Sequence, residues 1–160
     1  MDETTVAIEM ESEEEVHEQA AADFPWVLFS IDDVVYGIFS THVLSIEILS
    51  ETTPLVNSPH YTRGITNFRG DMISLIDLRA LFGLPEVEQT EDFREMMVVL
   101  EVEEIVKGIL VDEIIAVEYV DRMLDMDGLH DKTQYVRCLG KREKDNSTIQ
   151  IIDESRIIHL

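Results

Sequence analysis

Most of this chain is a succession of short apolar runs separated by pairs of polar residues. Trp26–Ile31 is followed by Asp32-Asp33 and then by Val34–Ile38, and the same pattern recurs around Glu103-Glu104. Short runs rich in β-branched and aromatic residues, joined by two polar residues, predict β-hairpins. Many runs are apolar on both faces, so their strands are expected to be buried on both sides or closed into barrels.

Further runs with this composition extend the prediction to about nine or ten strands. They are Ile65–Phe68, Met72–Ile76, Met96–Val102, Ile105–Val111, Ile114–Val120, Val136–Leu139 and Thr148–Ile152. The predicted helices are few and short, with N-caps at Ser58, Asp77 and Asp153. The fold class predicted from this pattern is all-β.

The chain has 160 residues and a formal net charge of −22, which is strongly acidic for one domain. Residues 1–23 contain no Lys or Arg, and this segment is predicted to be a disordered acidic tail preceding a domain that begins near Phe24. Such a charge would repel nucleic acid and anionic membrane surfaces. The acidic residues of the tail are Asp2, Glu3, Glu9, Glu11, Glu13, Glu14, Glu15, Glu18 and Asp23.

Cysteine use and hydropathy indicate the compartment. Cys138 is the single cysteine of the sequence, so it cannot form an internal disulfide. There is no apolar run of the length that spans a bilayer, and the N-terminus is acidic where a secretory signal would be basic and then apolar. These features predict a cytoplasmic protein without direct membrane insertion.

The motifs of several enzyme classes are incomplete in this sequence. Gly64 and Gly70 are spaced wrongly for a phosphate-binding loop, and His17-Glu18 lacks the second His of a zinc protease helix. Asp125–Gly128 suggests a calcium loop, but its register places Met123 at the first ligand position. We therefore expect no cofactor, no metal site and no catalytic residues, and we keep a metal-assisted hydrolase only as an alternative.

The most distinctive block is Arg63–Arg79, which contains Arg63-Gly64, Asn67-Phe68-Arg69-Gly70 and Asp77-Leu78-Arg79. This block resembles the CheW-like family of bacterial chemotaxis coupling domains. The resemblance extends over about residues 24–160 and includes Tyr36-Gly37-Ile38 and the strand that ends at Asp112.

The resemblance implies two five-stranded, SH3-like β-barrel lobes that meet at a hydrophobic seam. From the sequence pattern we expect a first lobe over about 24–84, a second over about 96–152 and a terminal helix over 153–160. The resemblance also implies a non-catalytic adaptor that joins the cytoplasmic tip of a chemoreceptor (a methyl-accepting chemotaxis protein) to the regulatory domain of a CheA-type histidine kinase in a receptor array. A divergent module serving another two-component or polar-localisation system is the alternative.

The family pattern also implies roles for particular residues. The receptor groove would be lined by Val43, Leu44, Ile46, Gly64 and Arg69. Core packing is the competing role for the three apolar residues, and an internal ion pair is the competing role for Arg69.

The other motif residues are expected to be structural. Asn67 would satisfy backbone groups at a bend, Gly70 would relieve strain in a turn, and Asp77 would cap a helix, with Arg79 beside it. Two departures from the pattern concern partner recognition. Ser74 replaces a usual Pro, and Ser45 replaces a common Glu for which Glu47 could substitute as a partner of Arg69.

Overall fold

The computed structural model describes residues 24–88, 90–123 and 134–160. The acidic tail over 1–23 and the Asp125–Gly128 loop lie outside these ranges. Within them, strands predominate and the helices are short, which confirms the all-β prediction. The predicted helix at Ser58 is wrong, because the chain forms turns there.

The described elements follow the predicted runs closely. The strands are β1 (Trp26–Ile31), β2 (Val34–Phe39), β3 (Val43–Ile48), β4 (Thr62–Phe68), β5 (Asp71–Asp77), β6 (Met96–Val102), β7 (Ile105–Val111), β8 (Glu113–Glu118), β9 (Val120–Met123), β10 (Val136–Arg142) and β11 (Thr148–Ile152). A 3₁₀ turn over Ser40–His42 joins β2 to β3, and the α-helices are α1 (Leu78–Leu81) and α2 (Glu154–Ile158).

The strands form two sheets, and each sheet is the basis of one lobe. Lobe A has the strand order β8-β1-β2-β11-β10-β9, and lobe B has the order β3-β6-β7-β5-β4. Lobe B is therefore one continuous stretch, 43–111, inserted between β2 and β8 of lobe A. The predicted division into 24–84 and 96–152 does not follow the sheets, because strand pairing and not chain order decides which lobe a strand joins.

Both sheets curl until their edges meet. In lobe A the edge strands β8 and β9 are separated only by Tyr119, and one residue spans about 3.5 Å. In lobe B, Thr53 lies beyond the end of edge strand β3 and forms a two-way backbone bridge with Ile65 of edge strand β4. Lobe A has six strands where five were expected, because the chain continues past the run predicted over Ile114–Val120 into a second edge strand, β9.

Alternate residues of the strands enter different cores. In β6, Met97 and Val99 point into lobe B, whereas Val98 and Leu100 point into the seam between the lobes. The seam cluster contains buried residues of both sheets and of α2, and lobe A has its own interior around Trp26. The predicted burial of strands on both faces and the hydrophobic seam are confirmed.

The chain crosses between the lobes at two places. The first crossing is the Ser40–His42 turn from β2 to β3, and the second is Asp112, which separates β7 from β8. Both crossings have charged side chains packed against them, and these are described below.

Candidate partner-binding surfaces

The distinctive sequence block forms the β4–β5 hairpin of lobe B. Its tip is a two-residue turn in which Arg69 has φ 51° and Gly70 has φ 91°. The Asn67 side-chain Oδ1 accepts a hydrogen bond from the Gly70 N–H at 3.1 Å. Asn67 therefore satisfies a backbone group at the bend, and Gly70 occupies a left-handed position that disfavours larger residues.

Arg69 is exposed at the hairpin tip and holds a backbone conformation that is unusual for a non-glycine residue. Its guanidinium lies over the Phe68 ring, with Cζ 4.8 Å from the centroid. Among the described residues no carboxylate pairs with it, so the predicted internal ion pair, including the suggested partner Glu47, is not formed. The five N–H donors of Arg69 are left facing solvent.

The outer face of the same hairpin is partly apolar. Asn67 pairs directly with Met72, and Ile65 pairs with Ser74. Met72 is 55% exposed. These four residues adjoin Arg69 at the tip of the hairpin.

Gly64 is required by the fold of the chain itself. It has φ 148°, and a Cβ atom at this position would lie 2.2 Å from the Thr53 carbonyl oxygen. The absent side chain thus makes room for the Thr53–Pro54 backbone, which closes lobe B. A close approach does occur at Gly64, but the approaching segment belongs to this chain.

The three apolar residues predicted in β3 do not share one surface. Val43 and Ile46 pack against the seam cluster, whereas Leu44 is 42% exposed. The pairing with β6 shifts register between Val43 and Ser45, so Leu44 is a bulged residue. In a regular strand, residues three positions apart such as Val43 and Ile46 would face opposite sides of the sheet. The bulge turns both to the same side and leaves Leu44 outside.

Arg63 forms a partly exposed link that the sequence block did not reveal. Its Nη2 donates to Asp77 Oδ2 at 2.9 Å, and its Nη1 donates to both carboxylate oxygens of Glu95 at 2.9 and 3.0 Å. Asp77 also caps α1 by accepting from the Ala80 N–H at 3.3 Å. Arg63 therefore ties the start of α1 to the chain that enters β6.

Arg79 holds the second lobe crossing. Its Nε and Nη2 donate to the two carboxylate oxygens of Asp112 at 2.9 and 2.7 Å, and its Nη1 donates to the Pro85 carbonyl at 2.7 Å. Asp32, in the β1–β2 turn of lobe A, lies 3.3 Å from Arg79 Nη2 and donates its backbone N–H to Asp112. Burial acts to raise the pKa of Asp112, but the Arg79 hydrogen bonds and the Asp32 N–H outweigh it, and the pKa lies below its usual value.

A cleft of about 250 Å³ lies between these two arginine networks. Arg63 and Arg79 line it together with Glu86 and the apolar side chains of Val87 and Phe93. The arginines at this cleft are already paired, so the cleft offers no free cation to an anionic ligand.

Glu154 holds the first crossing. It is the first residue of α2 and only 2% exposed, and its Oε1 accepts from the Phe39 N–H at 3.0 Å. His42 Nδ1 lies 3.6 Å from the same oxygen and is buried without a hydrogen-bond partner among the described residues. The Glu154 carboxylate raises the pKa of His42 above its usual value, against the opposing effects of burial and of the nearby Arg137 charge.

The described residues contain no group of three or more His, Cys, Asp or Glu side chains that could hold a metal ion. Within the same ranges, none of the helices has the length and apolarity needed to span a bilayer. The sequence predicted a bend at Asn67 and a turn at Gly70, and the structure places both residues, with Arg69, at the tip of the β4–β5 hairpin. Sequence reasoning did not identify Glu154 or His42. Glu154 is an acidic residue that follows a helix cap, and nothing in that position indicates burial.

Comparison with proteins of known structure supports this fold. The crystal structure of the scaffolding protein TtCheW from Thermoanaerobacter tengcongensis matches with a TM-score of 0.71 and 24% identity. The match covers 81% of this chain and 88% of that one. At this identity the likeness establishes the fold alone.

Sequence relatives and a family model establish the family. The chain is 26% identical to a chemotaxis protein CheW of Thermotoga maritima over 87% of this chain and 90% of the relative, and 29% identical to one of Bacillus subtilis over 82% and 85%. A CheW of Klebsiella aerogenes is 32% identical, but the match spans only 51% of that relative. The CheW-like domain model matches residues 25–160. The chain therefore belongs to the CheW-like family.

Proposed function

We propose that this protein is a non-catalytic coupling scaffold of a chemotaxis system. It would join the cytoplasmic tip of a chemoreceptor to the regulatory domain of a CheA-type histidine kinase. Membership of the CheW-like family and the names of the relatives support this proposal. A cytoplasmic location, with recruitment to membrane-associated receptor arrays, follows from the same function.

The observation that carries the proposal is Arg69. Arg69 occupies a left-handed position that the two-residue hairpin turn requires, and the turn leaves its side chain exposed at the tip of the hairpin. In a chain of net charge −22 this guanidinium has no carboxylate partner among the described residues, although acidic side chains are abundant. Stacking on Phe68 limits its motion, so less entropy is lost when it binds a carboxylate of a partner. Arg69 is therefore our main candidate for a contact with the receptor.

Leu44 and Ile48 of β3 supply the exposed apolar part of the proposed receptor surface. They are 42% and 59% exposed on an edge strand of lobe B. Val43 and Ile46 support this strand from the seam and do not contact a partner directly. Gly64 contributes by allowing lobe B to close, which fixes the strand that ends in the Arg69 turn.

The test is a pair of binding measurements with the full chain, using a receptor cytoplasmic fragment and an isolated kinase regulatory domain. Arg69→Glu and Leu44→Asp should each weaken receptor binding at least about tenfold, equivalent to about 1.4 kcal/mol. Arg94→Glu is the matched control, because Arg94 is also exposed and bonds only to backbone carbonyls of its own turn. The proposal would be overturned if the unaltered chain bound neither the receptor fragment nor the kinase regulatory domain. The assigned surface would be overturned if both variants kept the receptor affinity of the unaltered chain.

A further inference from the structure

The turn that joins β2 to β3 packs against a buried carboxylate. Glu154 of α2 is only 2% exposed, and its Oε1 accepts a hydrogen bond from the Phe39 N–H at 3.0 Å. Within the described part of the chain, this backbone group is the one hydrogen-bond donor to the Glu154 side chain. A carboxylate removed from water is costly as an anion unless further donors or a cation compensate its charge.

His42 lies where it can supply that compensation. Its Nδ1 is 3.6 Å from Glu154 Oε1, just beyond hydrogen-bond distance, and this buried atom has no hydrogen-bond partner within the described ranges. The His42 ring is held in edge contact with the Phe39 ring, with centroids 5.9 Å apart. A protonated His42 brings an N–H and a positive charge to the carboxylate, whereas a neutral His42 leaves the buried charge of Glu154 with one backbone donor.

The charged side chains of neighbouring elements do not replace this interaction. Arg137 of β10 acts against protonation of His42, because like charges repel. Glu101 of β6 alternates with residues of the seam cluster, so its side chain points away from the seam. On α2, Asp153 and Arg156 pair with each other at 3.5 Å, and β2 and β11 contain no Asp, Glu, Lys, Arg or His. The carboxylate that faces His42 is therefore that of Glu154.

We propose that the first crossing is a pH-sensitive latch, in which protonated His42 holds the Ser40–His42 turn against Glu154 and neutral His42 releases it. As the pH rises through the folded pKa of His42, the pair loses its cation. The cost of a buried, uncompensated carboxylate then favours separation of the turn from α2, which lets water reach Glu154. Because the Glu154 carboxylate raises the pKa of His42, the latch opens on the alkaline side of an ordinary histidine titration.

The latch lies at the start of the strand that carries the proposed receptor surface. Val43 follows His42 directly, and Leu44 is the next residue of β3. Release of the turn would free the beginning of β3 and loosen the position of Leu44, so receptor affinity should fall as the pH rises. This regulatory consequence rests on the proposed function, whereas the latch itself does not.

The first experiment follows the full, isotopically labelled chain by NMR through a pH titration. We expect the backbone amide signals of residues 39–44 to titrate together with the His42 ring. Over the same range, their hydrogen exchange, corrected for the intrinsic effect of pH, should become at least about fivefold faster, as expected for a local opening. This measurement needs no variant, and amide signals of residues 39–44 that do not follow the His42 titration would overturn the latch.

Two variants and a matched control test the pair itself. His42→Gln removes the titrating ring and should abolish the pH response of residues 39–44. Glu154→Gln keeps an acceptor for the backbone donor but removes the charge, so the His42 titration should move to lower pH. His159→Gln is the control, because His159 is exposed, lies 3.2 Å from Glu103 and should leave the response unchanged. A response that survives His42→Gln, or a His42 titration that is unchanged in Glu154→Gln, would contradict the proposal.

Receptor binding tests the regulatory consequence separately. The affinity of the unaltered chain for a receptor cytoplasmic fragment should fall at least about threefold from a pH below the His42 titration to one above it, and His42→Gln should not show this fall. A pH-independent affinity in a chain whose amides respond would overturn the consequence and leave the latch. Absence of receptor binding at every pH would count against the proposed function alone, because the NMR measurements need no receptor or kinase.

Discussion

The two crossings between the lobes are held by different kinds of charge. At the second crossing, the Arg79 guanidinium forms a bidentate ion pair with Asp112 and has further oxygen partners at Pro85 and Asp32. At the first crossing, a single carboxylate, Glu154, is almost fully buried and has one backbone donor and one neighbouring His.

This difference bears on how each crossing responds to change. A partly exposed ion pair contributes modestly to the free energy of unfolding, because water can replace its partners. A buried carboxylate with few partners is costly to disturb, because the donors left behind are cut off from water. We therefore expect the first crossing to be the more sensitive of the two, although it contains fewer charged groups.

The largest expected effect is at Glu154. Glu154→Ala would leave the Phe39 N–H unsatisfied in the seam and should lower the free energy of unfolding by about 2–3 kcal/mol. Glu154→Gln is the matched control, because its amide oxygen can still accept from Phe39, and it should cost clearly less. Urea denaturation of the full chain measures both values. Equal losses in the two variants would show that the carboxylate charge, and not the backbone hydrogen bond, holds this crossing.

A smaller effect is expected at the second crossing. Arg79→Ala should lower the free energy of unfolding by about 1–2 kcal/mol, and a double-mutant cycle with Asp112→Ala should give a coupling of about 1 kcal/mol. Arg156→Ala is the control, since the Arg156 side chain is 61% exposed and pairs with Asp153 at the surface, and it should cost under about 0.5 kcal/mol. A loss at Arg79 larger than that in Glu154→Ala would reverse the ranking of the crossings.

The smallest expected effect is the pH dependence of folding stability, which has opposite directions at the two crossings. The pKa of His42 is raised in the fold, so its stabilising contribution is complete below its unfolded value and is lost as pH rises through the folded pKa. The pKa of Asp112 is lowered, so its contribution is present above its unfolded value and is lost as pH falls through the folded pKa. The stability difference between the unaltered chain and His42→Gln should therefore shrink toward alkaline pH, and the difference for Asp112→Asn should shrink toward acid pH. Differences that stay constant with pH would contradict this assignment, and NMR titration of His42 gives a direct check of its pKa.

Much of the local structure could be predicted because it depends on neighbouring residues. Asp32-Asp33 and Glu103-Glu104 form the hairpin turns that their polar pairs indicated, all with positive φ. Asp77 precedes α1 and accepts a hydrogen bond from its first turn, as expected for a cap that needs only a residue three positions away. The family pattern identified the Asn67–Gly70 turn for a similar reason, since its hydrogen bond closes within four residues.

The candidate site was harder to predict, because its surface depends on contacts between distant residues. The bulge at Leu44 is produced by pairing with β6, and that pairing decides that Leu44 is outside while Val43 and Ile46 are inside. The approach of Thr53 to Gly64 depends on closure of lobe B. No pattern in the sequence marks Glu154 as buried, because its burial requires β2 and α2 to meet.

The sequence by itself determined where strands and turns form in the described chain, because alternating apolar residues and left-handed turn positions act over a few neighbours. Only the tertiary structure decided which strands share a lobe, which arginines pair with carboxylates, and that Arg69 has no carboxylate partner among the described residues. Those outcomes depend on which segments, far apart in the chain, are brought within the few ångströms over which hydrogen bonds and ion pairs operate.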